Sequence, residues 1–257
     1  MPRFAANLGW LFTEHPFLER FAAARRAGFR AVEFSQPYDY PAAEIASRLA
    51  DNGLECILVN LPMGDKSKGD FGIACRPGRE AEFRAGVARG IEYAHALGVP
   101  KLNCISGTAA AGDDRAQLRK TLVSNLRLAA REFKAAGLDL VVEPINTRDV
   151  PTFFVARSPE AVEIIEDVGA DNVGLQCDLY HTAMMDDDPA EILANCWPHI
   201  RHIQFADAPG RGEPGTGTID FAPLFSLIDA RGYEGWVSAE YKPSRATTDT
   251  ISWANPA

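Results

Sequence analysis

Eight short apolar segments recur along this chain, about one every 32 residues, with amphipathic stretches filling the intervals. They are Phe4–Leu8, Ala31–Phe34, Glu55–Asn60, Lys101–Ile105, Asp139–Glu143, Val173–Asp178, Ile200–Phe205 and Trp236–Glu240. Most are rich in Val, Ile, Leu or Phe, the composition of strands covered on both faces. The intervals read as helices with clear endings. One runs from Pro16 to Ala27 and stops at Gly28, and others start at Pro41, Arg79 and Asp114 and stop at Gly53, Gly98 and Gly137. Glycine is the residue that best accepts the left-handed backbone just past a helix. Ser158-Pro159-Glu160 reads as an N-cap, a first-turn proline and an acidic first turn, and Asp188-Pro189 and Asp220 look similar.

A strand–helix unit repeated eight times is what a (β/α)8 TIM barrel requires, and 257 residues is an ordinary length for one such domain, here spanning 1–257. The competing arrangement is a doubly wound open sheet. Against it, no G-x-G-x-x-G and no G-x-x-x-x-G-K-[ST] follows any strand, and no Pro/Ser/Gly-rich linker splits the chain. Only 17 residues follow Glu240, so the eighth helix is expected to be short or absent.

Charge narrows the partners. The chain carries 26 Lys+Arg against 35 Asp+Glu, a net charge of −9. No basic excess is left to neutralise phosphates, which argues against nucleic acid or an anionic membrane surface as the main partner. No run approaches 18 consecutive apolar residues, and the first residues lack a basic segment followed by an apolar core. The cysteines (Cys56, Cys75, Cys104, Cys177 and Cys196) are odd in number, widely spaced and free of any C-x-x-C. They read as reduced thiols of a cytoplasmic protein.

In a barrel, chemistry sits where strands end. Strand five ends in Glu143, strand six in Asp178, strand seven carries Gln204 and strand eight ends in Glu240, with separations of 35, 26 and 36 residues. Four oxygen-bearing side chains would therefore meet on one rim. Three crowded carboxylates repel one another unless a cation lies between them, and an all-oxygen set favours Mg²⁺ or Mn²⁺ over zinc. His181, three residues past Asp178, is placed to touch a substrate. His202 shares a face with Gln204 by the period of two and reads as a histidine of a lower core layer. His15, His95 and His199 look like surface or capping residues. The glycine-rich loop from Asp207 to Gly217 has no P-loop lysine but would present Arg211 to an anionic substrate, and Arg148 and Asp149 lie near the same rim. Lys242-Pro243-Ser244-Arg245 offers charge without the glycine turn that phosphate binding favours.

The segments ANLGWLFTEHPFLERFAAARRAGFRAVEF, VVEPIN, VGLQCDLYH, HIQFADAPGRGEPGTGTIDF and GWVSAEYKP resemble the hydroxypyruvate isomerase family, part of the xylose-isomerase-like barrels. The likeness runs from Phe4 to Pro243, and the strand-seven motif is its most specific part. It implies a metal bound by Glu143, Asp178, Gln204 and Glu240, proton transfer by the two glutamates, and substrate contacts from His181 and Arg211. Family members often carry Gly-Asp-Trp and then Gly-Glu-Arg-Gly after strand three. Here Gly64–Gly72 lacks that tryptophan and arginine, which leaves the substrate's identity open.

The expected reaction interconverts hydroxypyruvate and tartronate semialdehyde through an enediolate. A divalent ion would act as Lewis acid, with carboxylates on two sides as base and acid. Close alternatives are a 2-oxo-tetronate isomerase or a sugar 3-epimerase; such epimerases commonly carry histidine where Gln204 stands. An endonuclease would want a basic groove and clustered metal-binding histidines, and a non-catalytic sugar- or metal-binding module is the remaining class. The expected partner is a small hydroxy-oxo acid or sugar, and a homodimer would be ordinary for such a barrel.

Overall fold

The computed structural model describes residues 1–254, so the last three positions of the 1–257 span lie outside the described residues. Eight strands form a closed barrel in chain order: β1 (Arg3–Asn7), β2 (Ala31–Phe34), β3 (Glu55–Asn60), β4 (Lys101–Cys104), β5 (Asp139–Val142), β6 (Val173–Asp178), β7 (Ile200–Phe205) and β8 (Trp236–Ala239). Every neighbouring pair is parallel, and β8 returns to β1 with Arg3–Ala6 opposite Trp236–Ala239. Four of the eight segments have the bounds expected from the sequence. The other four end one residue earlier, because the last residue of each has already turned from the sheet into a loop.

Between the strands lie α1 (Phe17–Arg26), α2 (Ala42–Asn52), α3 (Glu80–Leu97), α4 (Arg115–Ala135), α5 (Ser158–Val168), α6 (Leu179–Met184), α7 (Pro189–Cys196) and α8 (Phe221–Ala230). Gly53 and Gly98 close α2 and α3 in the left-handed conformation, with φ of 56° and 67°, as the sequence suggests. The Asp188 carboxylate caps α7 at Ala190 N–H (2.8 Å), and Asp220 caps α8 at Ala222 N–H (3.3 Å). Ser158 differs from its expected role. It is the first residue of α5 and makes no cap bond, while Glu160 reaches back to accept from Ala156 N–H at 3.1 Å.

Among the described residues no α-helix follows β8, and its place has a substitute. After β8, among the described residues, the chain makes two short 3₁₀ turns, Thr247–Asp249 and Ser252–Ala254. Trp253 then packs edge-on against Phe4 and Phe205, with ring centroids 5.1 and 4.9 Å apart. That aromatic cluster packs Trp253 against β1 and β7. The main apolar core fills the space between strands and helices, and a smaller one built around Ala5, Ala31, Ile57, Leu58 and Val141 forms a second cluster. Among the described residues, no helix is long and apolar enough to cross a membrane.

Candidate functional site

Polar side chains replace apolar ones at the barrel's inward positions near the C-terminal rim. Asn7, Glu33, Asn103, Gln176, Asp178, His202 and Gln204 lie on strands, Glu143 and Glu240 follow β5 and β8 directly, and all are buried. The barrel register shifts at Glu33 and at Gln176. Such irregularities re-aim side chains beside functional sites.

The three carboxylates expected at the rim share one arrangement. Glu143 Oε2 accepts from Asn103 Nδ2 (2.6 Å), Asp178 Oδ1 from Tyr180 N–H (2.8 Å) and Glu240 Oε1 from Asn7 Nδ2 (3.1 Å). One oxygen of each is thus held by a fixed donor, and Glu143 and Glu240 line the cavity while Asp178 lies beside it. Glu143 Oε1 faces His181 Nε2 at 3.9 Å, and Asp178 Oδ2 has Arg211 Nη2 at 3.5 Å. Glu240 Oε2 is buried with no hydrogen bond among the described residues, although Arg211 Nη2 stands 3.0 Å away. One atom each from Glu143, Asp178 and His181 lie within 4.8 Å of one another. Arg211 Nη2, touching both Asp178 and Glu240, draws Glu240 into the same group.

Crowding and burial show in the acidities. Burial first, then the charge of Asp178, push the Glu143 carboxyl up to about 8, with Arg211 opposing. Burial raises Asp178 as well and holds Glu240 well above the ordinary carboxylate range. These groups want a cation.

Gln204 sits deeper. Its amide nitrogen donates to Glu33 Oε1 (2.5 Å) and its oxygen accepts from Gln176 Nε2 (2.6 Å), which leaves that oxygen one lone pair. Glu33 also accepts from Asn7 Nδ2 (2.9 Å) and pairs with His202 Nε2 (2.7 Å). His202 is therefore a buried core histidine on the face it shares with Gln204. Burial opposes the Glu33 charge, but His202 and the bonds from His202, Gln204 and Asn7 outweigh it and hold the carboxyl below its usual value. Asn7 bridges Glu33 to Glu240, so this network fixes the floor under the rim carboxylates.

His181 is buried and neutral, its pKa driven well below the usual value by burial and then by Arg211. Asn146 Oδ1 already accepts from the N–H groups of Arg148 and Asp149, so its amide nitrogen faces His181 Nδ1 at 2.6 Å. Nδ1 is the acceptor and Nε2 carries the proton, aimed at the carboxylates. Arg211 Nη1, 3.2 Å from that Nε2, therefore sets donor against donor. Arg211 itself occupies the left-handed region (φ 55°), with its guanidinium between the rings of Trp10 (4.5 Å) and Tyr180 (4.8 Å). A non-glycine residue held there is strained by roughly 1 kcal/mol or more.

The loop that carries Arg211 is built on Asp207, whose carboxylate accepts from the N–H groups of Gly215, Gly217 and Ile219 at 2.8–3.0 Å. A side chain at Gly217 would come within 2.3 Å of Ala208 O, so the closure demands glycine. Arg148 stands elsewhere. It is exposed, pairs with Asp186 at 2.5 Å and lies outside the cavity lining. Asp149 lines the cavity and accepts from the Tyr180 hydroxyl (2.8 Å). The cavity measures about 660 Å³, with Trp10, Met63, Phe71, Ile105 and Ile145 as apolar walls. Phe71 comes from the Gly64–Gly72 loop, which Asp70 holds shut through Asp65 N–H and a two-pronged pair with Arg79 (2.7 and 2.8 Å).

Glu33, Asn7, Asn103 and Gln176 were not singled out from the sequence. Their signal was present in AVEF, FAAN, KLNC and VGLQCD, each with a polar residue inside a short buried strand, in register with the rim residues.

Such a fold and carboxylate-lined cavity define a xylose isomerase-like barrel, and residues 21–256 match the family model described as "Xylose isomerase-like TIM barrel". The chain is 46% identical over 256 residues to a hydroxypyruvate isomerase of Escherichia coli, covering 100% of this chain and 99% of that protein. It is 43% identical to a 2-oxo-tetronate isomerase of Cupriavidus necator, covering 100% and 98%. A solved structure named AP endonuclease, family 2, from Brucella melitensis superposes with a TM-score of 0.97 at 41% identity, covering 100% and 99%. The chain belongs to the hydroxypyruvate isomerase family of isomerases.

Proposed function

We propose that this protein interconverts hydroxypyruvate and tartronate semialdehyde by proton transfer, assisted by a divalent metal. The observation that carries the reading is the shared arrangement of Glu143, Asp178 and Glu240, each with one oxygen fixed by a donor and the other facing the cationic Arg211 or His181 Nε2 at the rim. That donor set fits a hard cation better than zinc. Glu143, Asp178, Glu240 and the remaining lone pair of Gln204 would hold Mg²⁺ or Mn²⁺, which supplies Lewis-acid stabilisation of negative charge on substrate oxygens.

The protein's own groups do the rest. Glu143 and Glu240 come from β5 and β8, which are not neighbours, and so can face the substrate from two sides. One removes a proton from C3 of hydroxypyruvate, giving the enediolate, and the other returns a proton to C2. The hydroxyl proton on O3 passes to O2, which completes the aldehyde. His181 and Arg211 both line the cavity, and the His181 Nε2–H, with the Arg211 charge behind it, would stabilise oxyanion character as it develops. Phe71, Met63 and Trp10 keep water from the intermediate.

The 43% identity to a 2-oxo-tetronate isomerase, and a cavity of about 660 Å³, favour a four-carbon acid as the second reading. A nucleic-acid substrate is opposed by the net charge of −9 and by the carboxylates lining the cavity. All five cysteines are free and buried, which supports placement in a reducing compartment such as the cytoplasm. The test is a screen of three- and four-carbon hydroxy-oxo acids and free sugars with Mg²⁺ or Mn²⁺, read by proton NMR. Hydroxypyruvate should give tartronate semialdehyde; turnover confined to free sugars would overturn the reading.

A further inference from the structure

A substrate acid brings its own negative charge into a cavity already lined by Glu143, Asp149 and Glu240. Two cations line the same cavity, Arg211 and Lys242. Arg211 is committed: its Nη2 lies 3.0 Å from Glu240 and 3.5 Å from Asp178, and its Nε donates to Glu240 O at 3.2 Å. Lys242 enters no ion pair and makes no side-chain hydrogen bond among the described residues, and its side chain is exposed at the cavity mouth.

The chain around Lys242 is nonetheless fixed. Its N–H donates to Arg211 O at 2.7 Å, and Pro243 follows it. Tyr241 is fully buried, with its hydroxyl on Thr250. Glu240 and Lys242 both line the cavity, on either side of the buried Tyr241. A backbone held in place thus carries a flexible four-carbon stem ending in a point charge, in the lining of the cavity that Glu143 and Glu240 share.

We propose that Lys242 binds the substrate carboxylate and makes this site select an acid over a neutral sugar. The proposal rests on the hydroxy-oxo acid reading of the site. Holding the carboxylate at the mouth directs the substrate's carbonyl and hydroxyl carbons inward, toward Glu143 and Glu240.

The test compares wild-type protein with Lys242→Met and Lys242→Arg on hydroxypyruvate and on dihydroxyacetone, a neutral ketose of the same length. A hydrogen bond to a charged group is typically worth enough to change affinity about 10–100-fold. Lys242→Met should therefore raise KM for hydroxypyruvate by that factor with a much smaller change in kcat, and Lys242→Arg should recover most of the loss. Any turnover of dihydroxyacetone should change less than twofold, and melting curves should coincide because the side chain is exposed. A KM for hydroxypyruvate within twofold of wild type, or equal losses on both compounds, would overturn the assignment. If wild-type protein turns over no acid, the reaction reading fails by itself. Lys242 is then judged by calorimetric titration of hydroxypyruvate, where equal binding to wild type and Lys242→Met overturns it and binding weakened at least tenfold upholds it.

Discussion

Glu143→Gln and Glu240→Gln should each lower kcat/KM by about 10²–10⁴-fold, the usual contribution of a positioned general acid or base. Glutamine keeps the size of the side chain and its bond to Asn103 or Asn7, but it cannot take a proton from carbon. Both variants should fold, with different stabilities. Burial and Asp178 push the Glu143 carboxyl upward, so removing its charge should leave the melting temperature of metal-free protein unchanged or higher, whereas Glu240→Gln also takes from buried Arg211 its nearest carboxylate and should lower it. Metal content must be measured beside the rate, because each residue also belongs to the proposed ligand set. A variant that retains metal and loses rate identifies a proton carrier. A variant that retains both metal and full rate would remove that glutamate from the mechanism.

Stripping divalent metal with EDTA should abolish activity, a loss of at least about 100-fold for a Lewis acid worth several kcal/mol, and Mg²⁺ or Mn²⁺ should restore it. Stability should respond as well, with a sign fixed by the acidities. Glu143 has a folded pKa near 8, raised above the ordinary carboxylate value by burial and by Asp178. A raised carboxyl stabilises the fold while protonated, and that contribution is lost as pH climbs toward the folded pKa. Metal binds the ionised form, so at pH 6 it must displace a proton that is largely gone above pH 8. The rise in melting temperature on adding a fixed excess of Mn²⁺ should therefore be larger at pH 8 than at pH 6. A rise independent of pH would mean that the ion binds away from these carboxylates.

Much of the scaffold was legible because the barrel writes one signal eight times. Ala31–Phe34 and Val173–Asp178 each open directly after a polar residue, Arg30 or Asn172, and their limits fall where expected. The rim residues were legible for a related reason, since Glu143, Asp178 and Glu240 close runs of apolar side chains. The network beneath them was not. Glu33 reads as part of an apolar strand, and its meaning appears only when the closed barrel brings His202 and Gln204 across to it from β7. Sequence spacing places Gln204 on the inner face but does not say that its amide spans Glu33 and Gln176. Arg148 and Lys242 look alike as loop cations. Which one faces the cavity depends on how the loop after β5 packs, where Asp186 captures Arg148.

Isomerisation of hydroxypyruvate in D₂O, followed by proton NMR at early times against an enzyme-free control, separates the proton route from its rival. Transfer through Glu143 and Glu240 passes by carboxylates that exchange with solvent, so tartronate semialdehyde should form with deuterium at C2. Product formed with its C2 hydrogen derived intact from C3 would show a direct hydride shift between the carbons and contradict proton transfer by the two glutamates.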